Sequence, residues 1–318
     1  MSLLKKMSKN LNKKKAILIL LSFFCCFYLN SQYLKYGGKY VVYNDQYVTG
    51  YNTYEYEYES LLLFDRWDEE FTVLTDNKKQ DIDSLIKKLK QYNLWANADA
   101  IYVENVTDSV NAKLCWNNSS YNLTLIGTMR FLAKNGYYAS SAASNAYCNT
   151  NFNGSTDGVN YTQNNSSISW YSYTNSTEDG KYEWGTDNST GGHHYAFTAL
   201  SALAGNDDYW AMQMSTLYVL SAITNTNDLF VSTRNSSTEV KLYQGNGNVK
   251  GSSTESTSVA LANSDIFTHN INLDGSPQNN HSSVKKIGFF RIGASMSYTD
   301  VTNLYSIITW WNEKVVDW

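Results

Sequence analysis

The chain has 318 residues and a formal net charge of −4, with 17% charged and 15% aromatic residues. This negative balance provides no general attraction to nucleic acid, so we expect no nucleic-acid partner. Because charged residues are few, Asn, Ser and Thr must supply the polar surface, and these residues favour turns and strands over helices. The length suits one large domain or two ordinary ones.

The first segment, residues 1–32, has the pattern of a targeting sequence. A lysine-rich start precedes an apolar run at residues 16–29, and Asn30, Ser31 and Gln32 follow it. This order matches the three regions of a secretory signal peptide. The run is short for a membrane-spanning helix, which needs about 20 residues. We expect a cleaved signal, with an uncleaved or lipid anchor and a retained virion segment as alternatives.

Residues 33–60 are rich in tyrosine and predict a small β-hairpin region. Two short strands, at residues 36–43 and 47–51, would flank a turn at Asn44 and Asp45. Residues 54–59 then alternate Tyr and Glu, so a strand would place the tyrosines on one face and the carboxylates on the other. Two such carboxylates suit a glycosidase, but a solvated strand face that discourages edge pairing is the interpretation we prefer.

Residues 61–93 predict a linker that contains an amphipathic helix beginning near Asp76. Its apolar residues recur at spacings of three and four: Ile82, Leu85, Ile86 and Leu89. Its polar face is basic and contains Lys78, Lys79, Lys87, Lys88 and Lys90. A solvated helix face explains these lysines better than a polyanion site does.

Residues 94–318 contain many short apolar-alternating stretches separated by turns. The predicted strands are residues 99–103, 112–116, 127–133, 146–152, 167–173, 195–200, 209–214, 228–234 and 240–243. Asn246 and Gly247 form a strong hairpin signal. This pattern predicts an all-β domain, a two-sheet antiparallel jelly-roll sandwich.

The end of the chain predicts a buried strand followed by a short capped helix. Residues 287–292 are apolar on both strand faces, so Phe289, Phe290 and Ile292 are expected to be buried. Ser297 and Asp300 have the spacing of a capping box. The helix that follows has apolar residues at helical spacing, namely Val301, Leu304, Tyr305 and Ile308.

Cys115 and Cys148 are the two cysteines of the predicted sandwich. We expect both to be small buried residues rather than a disulfide, although a disulfide is the alternative. The spacing of the cysteines matches no zinc pattern.

Two of these stretches resemble concanavalin A-like (LamG-like) lectin and glucanase domains. Residues 234–247 resemble a hairpin of that family, and residues 287–308 resemble its closing strand and helix. Residues 95–152 look like versions found in phage virion (tail or surface) proteins and in Bacteroidota-associated sequences. The resemblance covers about residues 94–318. It implies a two-sheet jelly roll that often binds glycans or cell-surface molecules, sometimes with calcium.

Motifs for catalysis are missing from the predicted sandwich. Glycan-cleaving relatives of the resembled family have paired acids in a Glu-x-Asp-x-Glu-type motif, which residues 94–318 lack. A Gly-x-Ser-x-Gly nucleophile elbow is also missing. We therefore expect a protein that is not an enzyme, and a glycan hydrolase is the least favoured alternative.

Residues 182–194 form the predicted recognition surface, which we expect to be a loop rich in Gly and Asn. Sugars present apolar C–H faces and many hydroxyls, so aromatic rings beside amides and carboxylates suit them. The candidate ligand-binding residues are Tyr182, Trp184, Asp187, Asn188, His193 and His194. Adjacent histidines on a strand point to opposite faces and would not share a metal ion.

Calcium is the one cofactor that remains open, and otherwise we expect none. Calcium needs oxygen ligands, and the candidates are Asp157, Asp179, Asp187 and Asp228. Aspartates in such Gly- and Asn-containing turns are mostly explained by turn chemistry.

The sequence therefore predicts a non-enzymatic adhesion module that recognises a glycan or a host cell-surface molecule. We expect it on a virion surface, or outside the cell or at its surface after export. The alternative is a structural virion protein or secreted surface protein that assembles with itself or with other virion proteins.

Overall fold

The computed structural model describes residues 34–36, 39–41, 54–68, 73–176, 181–188, 192–197, 209–214, 218–219, 223, 225–254 and 258–318. The chain forms two compact units, Met1–Glu55 and Tyr56–Trp318. The predicted targeting segment at residues 1–32 lies outside the described residues. None of the described helices combines the length and the hydropathy that a membrane crossing requires.

The first unit contains a hairpin of strands β1 (Leu34–Tyr36) and β2 (Lys39–Val41). Tyr36 lies opposite Lys39, so residues 37–38 connect the strands. The single strand predicted at residues 36–43 is therefore wrong, because Tyr36 and Lys39 belong to two strands that pair with each other. The predicted turn at Asn44 and Asp45 lies outside the described residues. The predicted strand at residues 47–51 lies outside the described residues.

The second unit is a sandwich of two sheets, called sheet I and sheet II, which confirms the predicted all-β class. In spatial order, sheet I contains β15 (Asn248–Ser253), β14 (Val240–Gln244), β13 (Leu229–Arg234), β8 (Ser166–Ser172), β19 (Ile287–Gly293), β6 (Gly136–Ala139) and β5 (Met129–Leu132), with β3 (Ala98–Val103) also paired to β19. Sheet II contains β12 (Tyr218–Val219), β11 (Tyr209–Met214), β10 (Gly192–Phe197), β9 (Trp184–Asn188), β16 (Asp265–Thr268), β7 (Tyr147–Asn153) and β4 (Thr124–Ile126). The hairpin of β17 (Asn272–Leu273) and β18 (Ser276–Pro277) adds to β9.

Aromatic rings join the two sheets in the core. Trp170 of sheet I stacks on Phe230 at 5.3 Å between ring centroids and meets Trp184 of sheet II edge-on at 5.9 Å. All three side chains are fully buried. Such pairs contribute about 0.5–1.5 kcal/mol each beyond the burial of their area, so they help to hold the sheets face to face.

Strand β19 is an inner strand of sheet I, as predicted. It pairs with β8 on one side and with β3 and β6 on the other. Phe289, Phe290 and Ile292 are buried. Arg291 is the buried cation of this strand, and it donates hydrogen bonds to the backbone carbonyl oxygens of Leu94 (3.2 Å) and Asn97 (2.9 Å).

The C-terminal helix is longer than the short helix that we predicted, and it spans Tyr298–Val316 (α3). Its capping box is confirmed: Ser297 Oγ accepts from the Asp300 backbone N–H, and Asp300 Oδ2 accepts from the Ser297 backbone N–H. The buried face of α3 contains Val301, Leu304, Ile307, Ile308, Trp311 and Val315. Trp311 Nε1 also donates to Asn105 Oδ1 at 2.9 Å, which fixes the helix against the sandwich.

The predicted amphipathic helix is confirmed as α2 (Asp76–Gln91), with Thr75 as its N-cap. Its lysines contact side chains of the protein. Lys90 pairs with two glutamates and Lys87 with Asp83, while Lys78, Lys79 and Lys88 lie over Trp318, Phe64 and Trp310. The basic face therefore contributes to packing within this unit.

Two further predicted strands are wrong. In residues 54–59 the alternating Tyr and Glu residues lead into a helix, α1 (Tyr58–Phe64), because the buried Asp83 of α2 binds this segment. Asp83 Oδ1 accepts from the Glu57 backbone N–H and from Ser60 Oγ, both at 2.6 Å. Residues 112–116 begin as a 3-10 turn, Asn111–Lys113, and then form one isolated bridge to Tyr102.

Several local predictions are confirmed. The predicted strands at residues 228–234 and 240–243 are confirmed as β13 and β14, which pair with each other, and β14 turns into β15 through residues 245–247. Gly245 and Gly247 have φ angles of 56° and 80°, which glycine adopts without strain. Cys115 and Cys148 are buried and unpaired, and burial raises the pKa of Cys115 to about 11.

Candidate functional site

The predicted recognition surface at residues 182–194 is a strand pair rather than a loop. Strands β9 and β10 pair antiparallel, with His193 opposite Asp187 and His194 opposite Thr186. The extended conformation follows from Trp184, whose buried ring anchors β9 in the core against Trp170.

The described members of the predicted ligand-binding set differ in exposure. Trp184 is fully buried and Asp187 is buried, so Trp184 forms part of the core instead of an exposed platform. Tyr182 is half-buried, with its ring 5.9 Å from that of His281. The side chains of Asn188, His193 and His194 lie outside the described residues, and their role in binding stays a prediction.

A different region of the second unit forms a cleft with a volume of about 380 Å³. It lies between α1, the turn that follows α2 and the segment that follows Cys115. We call it the α1 cleft. Its lining residues are Glu59, Leu62, Asp65, Arg66, Trp95, Trp116, Asn117, Asn118 and Ser119.

Two tryptophans and a leucine form the apolar part of the α1 cleft. Trp95 is 8% exposed and Trp116 only 2% exposed, whereas Leu62 is 44% exposed. The Trp95 backbone N–H bonds to Leu89 O at the end of α2, and the Trp116 ring packs edge-on against Trp311 of α3 at 5.9 Å. These contacts hold both rings in place before any ligand arrives, which lowers the entropic cost of binding.

Arg66 connects α1 to the opposite wall of the cleft. Its Nη1 and Nη2 donate to the backbone carbonyl oxygens of Cys115 (2.8 Å) and Trp116 (2.9 Å), and its Nε donates to Leu62 O (3.3 Å). Burial lowers the pKa of Arg66. The side chain thus sets the width of the cleft by joining its two walls.

The polar groups of the α1 cleft fall into a structural set and a set available to a ligand. Asn117 belongs to the first, since its amide bonds to Ile101 N and Ala98 O at 2.9 and 3.0 Å. Asn118 Nδ2 and the Ser119 hydroxyl have no hydrogen-bond partner within the described residues. The exposed Asp65 carboxylate likewise has no ion-pair partner there. These three groups can bind hydroxyls of a ligand.

Glu59 lines the cleft as a paired carboxylate. Lys90 binds Glu59 at 2.8 Å and Glu57 at 2.6 Å. Burial opposes ionisation of Glu59, but the hydrogen bond and the charge of Lys90 contribute to a pKa that is lowered overall. Glu59 is therefore a hydrogen-bond acceptor near neutral pH and is not poised as a proton donor.

Calcium candidates can be placed for three of the four aspartates. Asp157 accepts the Asn153 backbone N–H at 2.9 Å, and Asp228 accepts the Leu229 backbone N–H at 2.9 Å, which is turn chemistry. Asp187 is buried on β9, and Asp179 lies outside the described residues. In the described part of the chain, no group of three or more His, Cys, Asp or Glu side chains could hold a metal ion.

The sequence prediction missed the α1 cleft, although one cue was present. Trp116 is followed by Asn117, Asn118 and Ser119, the same mixture of an aromatic ring and amides that we used at residues 182–194. The opposite wall comes from α1, which is distant in sequence and was not predicted as a helix, since most of its residues lay in the predicted linker at residues 61–93.

No protein-family model matches the chain, and no curated protein matches it. Among solved structures, domain 4 of AbnA, an extracellular GH43 arabinanase of Geobacillus stearothermophilus in complex with arabinotriose, is 17% identical with a TM-score of 0.43, covering 66% of this chain and 98% of that one. The receptor-binding domain of botulinum neurotoxin D is 17% identical with a TM-score of 0.46, covering 67% of this chain and 53% of that one. Trypanosoma rangeli sialidase is 7% identical with a TM-score of 0.46, covering 72% and 39%.

Proposed function

We propose that the chain is a non-enzymatic recognition module that binds carbohydrate in the α1 cleft. The observation that carries the proposal is the combination of Leu62 and two fixed tryptophans with the available polar groups of Asp65, Asn118 and Ser119. The exposed Leu62 can cover part of the C–H face of a sugar, with the buried Trp95 and Trp116 packed in the wall of the cleft, and the polar groups can bind its hydroxyls.

The size of the cleft suits a short part of a glycan. Its volume of about 380 Å³ lies at the lower end of the range of ~300–1,000 Å³ that is usual for small-molecule sites. A longer glycan would extend from the cleft past the exposed side chains of Asp65 and Ser119.

The carboxylates near the cleft support binding over hydrolysis. A glycosidase needs one carboxyl group with a raised pKa as its proton donor. Glu57 and Glu59 instead share Lys90, and the pKa of Glu59 is lowered. We therefore favour a recognition module over a glycan hydrolase as the function of this chain.

The proposal extends to the location of the protein at a virion or cell surface. Its support is the signal-like pattern of residues 1–32 and the resemblance of residues 94–318 to lectin-like virion and surface proteins. Mass spectrometry of the mature N-terminus after expression in a bacterium, together with immunogold labelling of virions and cells, tests this part. A chain that stays in the cytoplasm with residues 1–32 intact, and that labels neither virions nor cell surfaces, contradicts it.

A glycan array followed by titration calorimetry tests the binding site. We compare Leu62→Gln with Leu132→Gln, because the two leucines are matched in exposure at 44% and 42% and only Leu62 lines the cleft. Loss of the apolar contact should weaken binding by roughly tenfold in Leu62→Gln and leave Leu132→Gln unchanged. A blank array together with no binding to intact cells overturns the proposal, as does equal affinity of the two variants.

A further inference from the structure

The charges around the α1 cleft restrict the kind of glycan that it can accept. The charged residues that line it are Glu59, Asp65 and Arg66. A ligand that carries a negative charge would need a cation with hydrogen bonds to offer, whereas an uncharged glycan would not.

The positive groups at this site already bind acceptors of the protein itself. Each of the three guanidinium nitrogens of Arg66 donates to a backbone carbonyl oxygen, as described above. Lys90 is shared between Glu57 and Glu59 at 2.6 and 2.8 Å. These bonds use three of the five N–H groups of Arg66 and two of the three N–H groups of Lys90, so both positive charges are already held against acceptors that belong to the protein.

The negative groups are not fully balanced in the same way. Lys90 faces two carboxylates, and the exposed Asp65 has no ion-pair partner within the described residues. The whole chain also carries a net charge of −4. The Asp65 carboxylate at the rim of the cleft therefore repels a ligand that carries a negative charge.

We infer that the α1 cleft selects uncharged glycans and excludes anionic ones, such as those that carry sialate, uronate or sulfate groups. The inference rests on the proposed function, since it names the ligand class of the same cleft. Uncharged sugars meet hydroxyl, amide and carboxylate groups there, and anionic sugars meet Asp65.

The test uses the full chain and pairs of oligosaccharides that share one backbone and differ by a single carboxylate or sulfate. Affinities are measured by calorimetry at low and high salt for the wild type, Asp65→Asn and Asp65→Lys. Asp317→Lys is the matched control, because Asp317 is also an exposed C-cap residue in the right-handed helical region and the change in net charge is the same. A lysine at a helix C-terminus is favourable, so both variants should fold.

The wild type should bind the uncharged member of each pair roughly tenfold more tightly at low salt, and salt should narrow the difference. Asp65→Asn should also reduce the difference in affinity between the uncharged and the anionic oligosaccharide. Asp65→Lys should abolish or reverse this difference, while Asp317→Lys should show the same difference as the wild type. Tighter binding of the anionic member, lost in Leu62→Gln, would overturn the inference and leave glycan binding at the cleft intact. Binding that Leu62→Gln does not affect would overturn the proposed site itself.

Discussion

Arg66 donates a hydrogen bond from Nη2 to the backbone carbonyl oxygen of Trp116 at 2.9 Å, and this bond joins two segments that are far apart in sequence. The same guanidinium binds the carbonyl oxygen of Cys115. A single side chain thus brings α1 to the tryptophan wall and forms the α1 cleft between them.

Replacing Arg66 should therefore affect both stability and binding. Arg66→Ala leaves the carbonyl groups of Cys115 and Trp116, and the more distant one of Leu62, without their charged donor and should lower the free energy of unfolding by about 2 kcal/mol. Arg66→Lys should fall between this variant and the wild type, because an ammonium group lacks the planar fork that reaches both carbonyls. Urea denaturation and glycan affinity are the measurements. If Arg66→Lys equals the wild type in both, Arg66 does not hold the cleft together.

The buried Asp83 has two roles that substitutions can separate, as a hydrogen-bond acceptor for the start of α1 and as the ion-pair partner of Lys87. Its Oδ1 accepts two hydrogen bonds from the start of α1, and Lys87 approaches its Oδ2 at 2.8 Å. Asp83→Asn keeps an acceptor oxygen and loses the ion pair with the partly exposed Lys87, so it should cost about 1 kcal/mol or less. Asp83→Ala should cost about 2–3 kcal/mol, because two donors lose their partner. Equal denaturation midpoints for Asn and Ala would contradict the assignment of the acceptor role.

The capping box of α3 gives a prediction that is independent of the cleft. Ser297→Ala removes the acceptor for the Asp300 backbone N–H and should lower the free energy of unfolding by about 1 kcal/mol. Ser306→Ala is the control, since Ser306 is an exposed hydroxyl within the same helix that bonds back to Thr302 O. Thermal denaturation should show a lower midpoint for Ser297→Ala alone, and equal midpoints would contradict the cap.

His269 should make the protein sensitive to acid. Burial lowers its pKa from 6.5 to about 4, and the neutral ring lies between Tyr137 O at 2.9 Å and Thr268 Oγ1 at 3.0 Å. Between these two pKa values the unfolded chain binds more protons than the native chain. The contribution to stability is therefore present above pH 6.5 and is lost as the pH falls toward 4, by about 3 kcal/mol.

The comparison for His269 uses His269→Gln, with His281→Gln at a partly exposed position as control. The free energy of unfolding from pH 4 to 7 should rise less steeply with pH in His269→Gln than in the wild type. His281→Gln should keep the slope of the wild type. Parallel curves for all three proteins would contradict the lowered pKa.

Glu104 should contribute to the free energy of unfolding with the opposite dependence on pH. Burial raises its pKa well above 4.5, an effect that the Tyr137 backbone partly offsets. The native chain then binds more protons above pH 4.5, so the free energy of unfolding falls with rising pH by up to ~1.4 kcal/mol per unit. Glu104→Gln removes this titration. The free energy of unfolding of Glu104→Gln should therefore exceed that of the wild type by an amount that increases from pH 5 to pH 8. The exposed Glu313→Gln is the control, and a constant difference between Glu104→Gln and the wild type would contradict the raised pKa.

Much of the fold could be predicted because its elements depend on local patterns. The apolar faces of β19, the capping residues of α3 and the helical spacing in α2 lie within single stretches, and the structure confirms all three. The strand predicted for residues 54–59 was wrong because their strict alternation suits a strand, while the contact that decides their conformation comes from Asp83 in the next helix.

The candidate site was less predictable than the fold. Trp116 and the residues after it carry a visible aromatic and amide signal, but Leu62 and Arg66 become its neighbours only through the packing of α1. The opposite error occurred at Trp184, whose polar surroundings in sequence suggested exposure. Its burial depends on Trp170 in the other sheet.

The sequence by itself determined the β-rich class, the closing strand and capped helix, and the amphipathic helix, because each arises from neighbours along the chain. Tertiary structure alone decided which charges are paired and which face the solvent. Lys90 pairs with both Glu57 and Glu59, and Arg66 binds carbonyl groups, while the exposed Asp65 has no ion-pair partner within the described residues. The reason is physical: a hydrogen bond or an ion pair needs atoms within a few ångströms, and only the folded chain brings α1, α2 and the Trp116 segment that close.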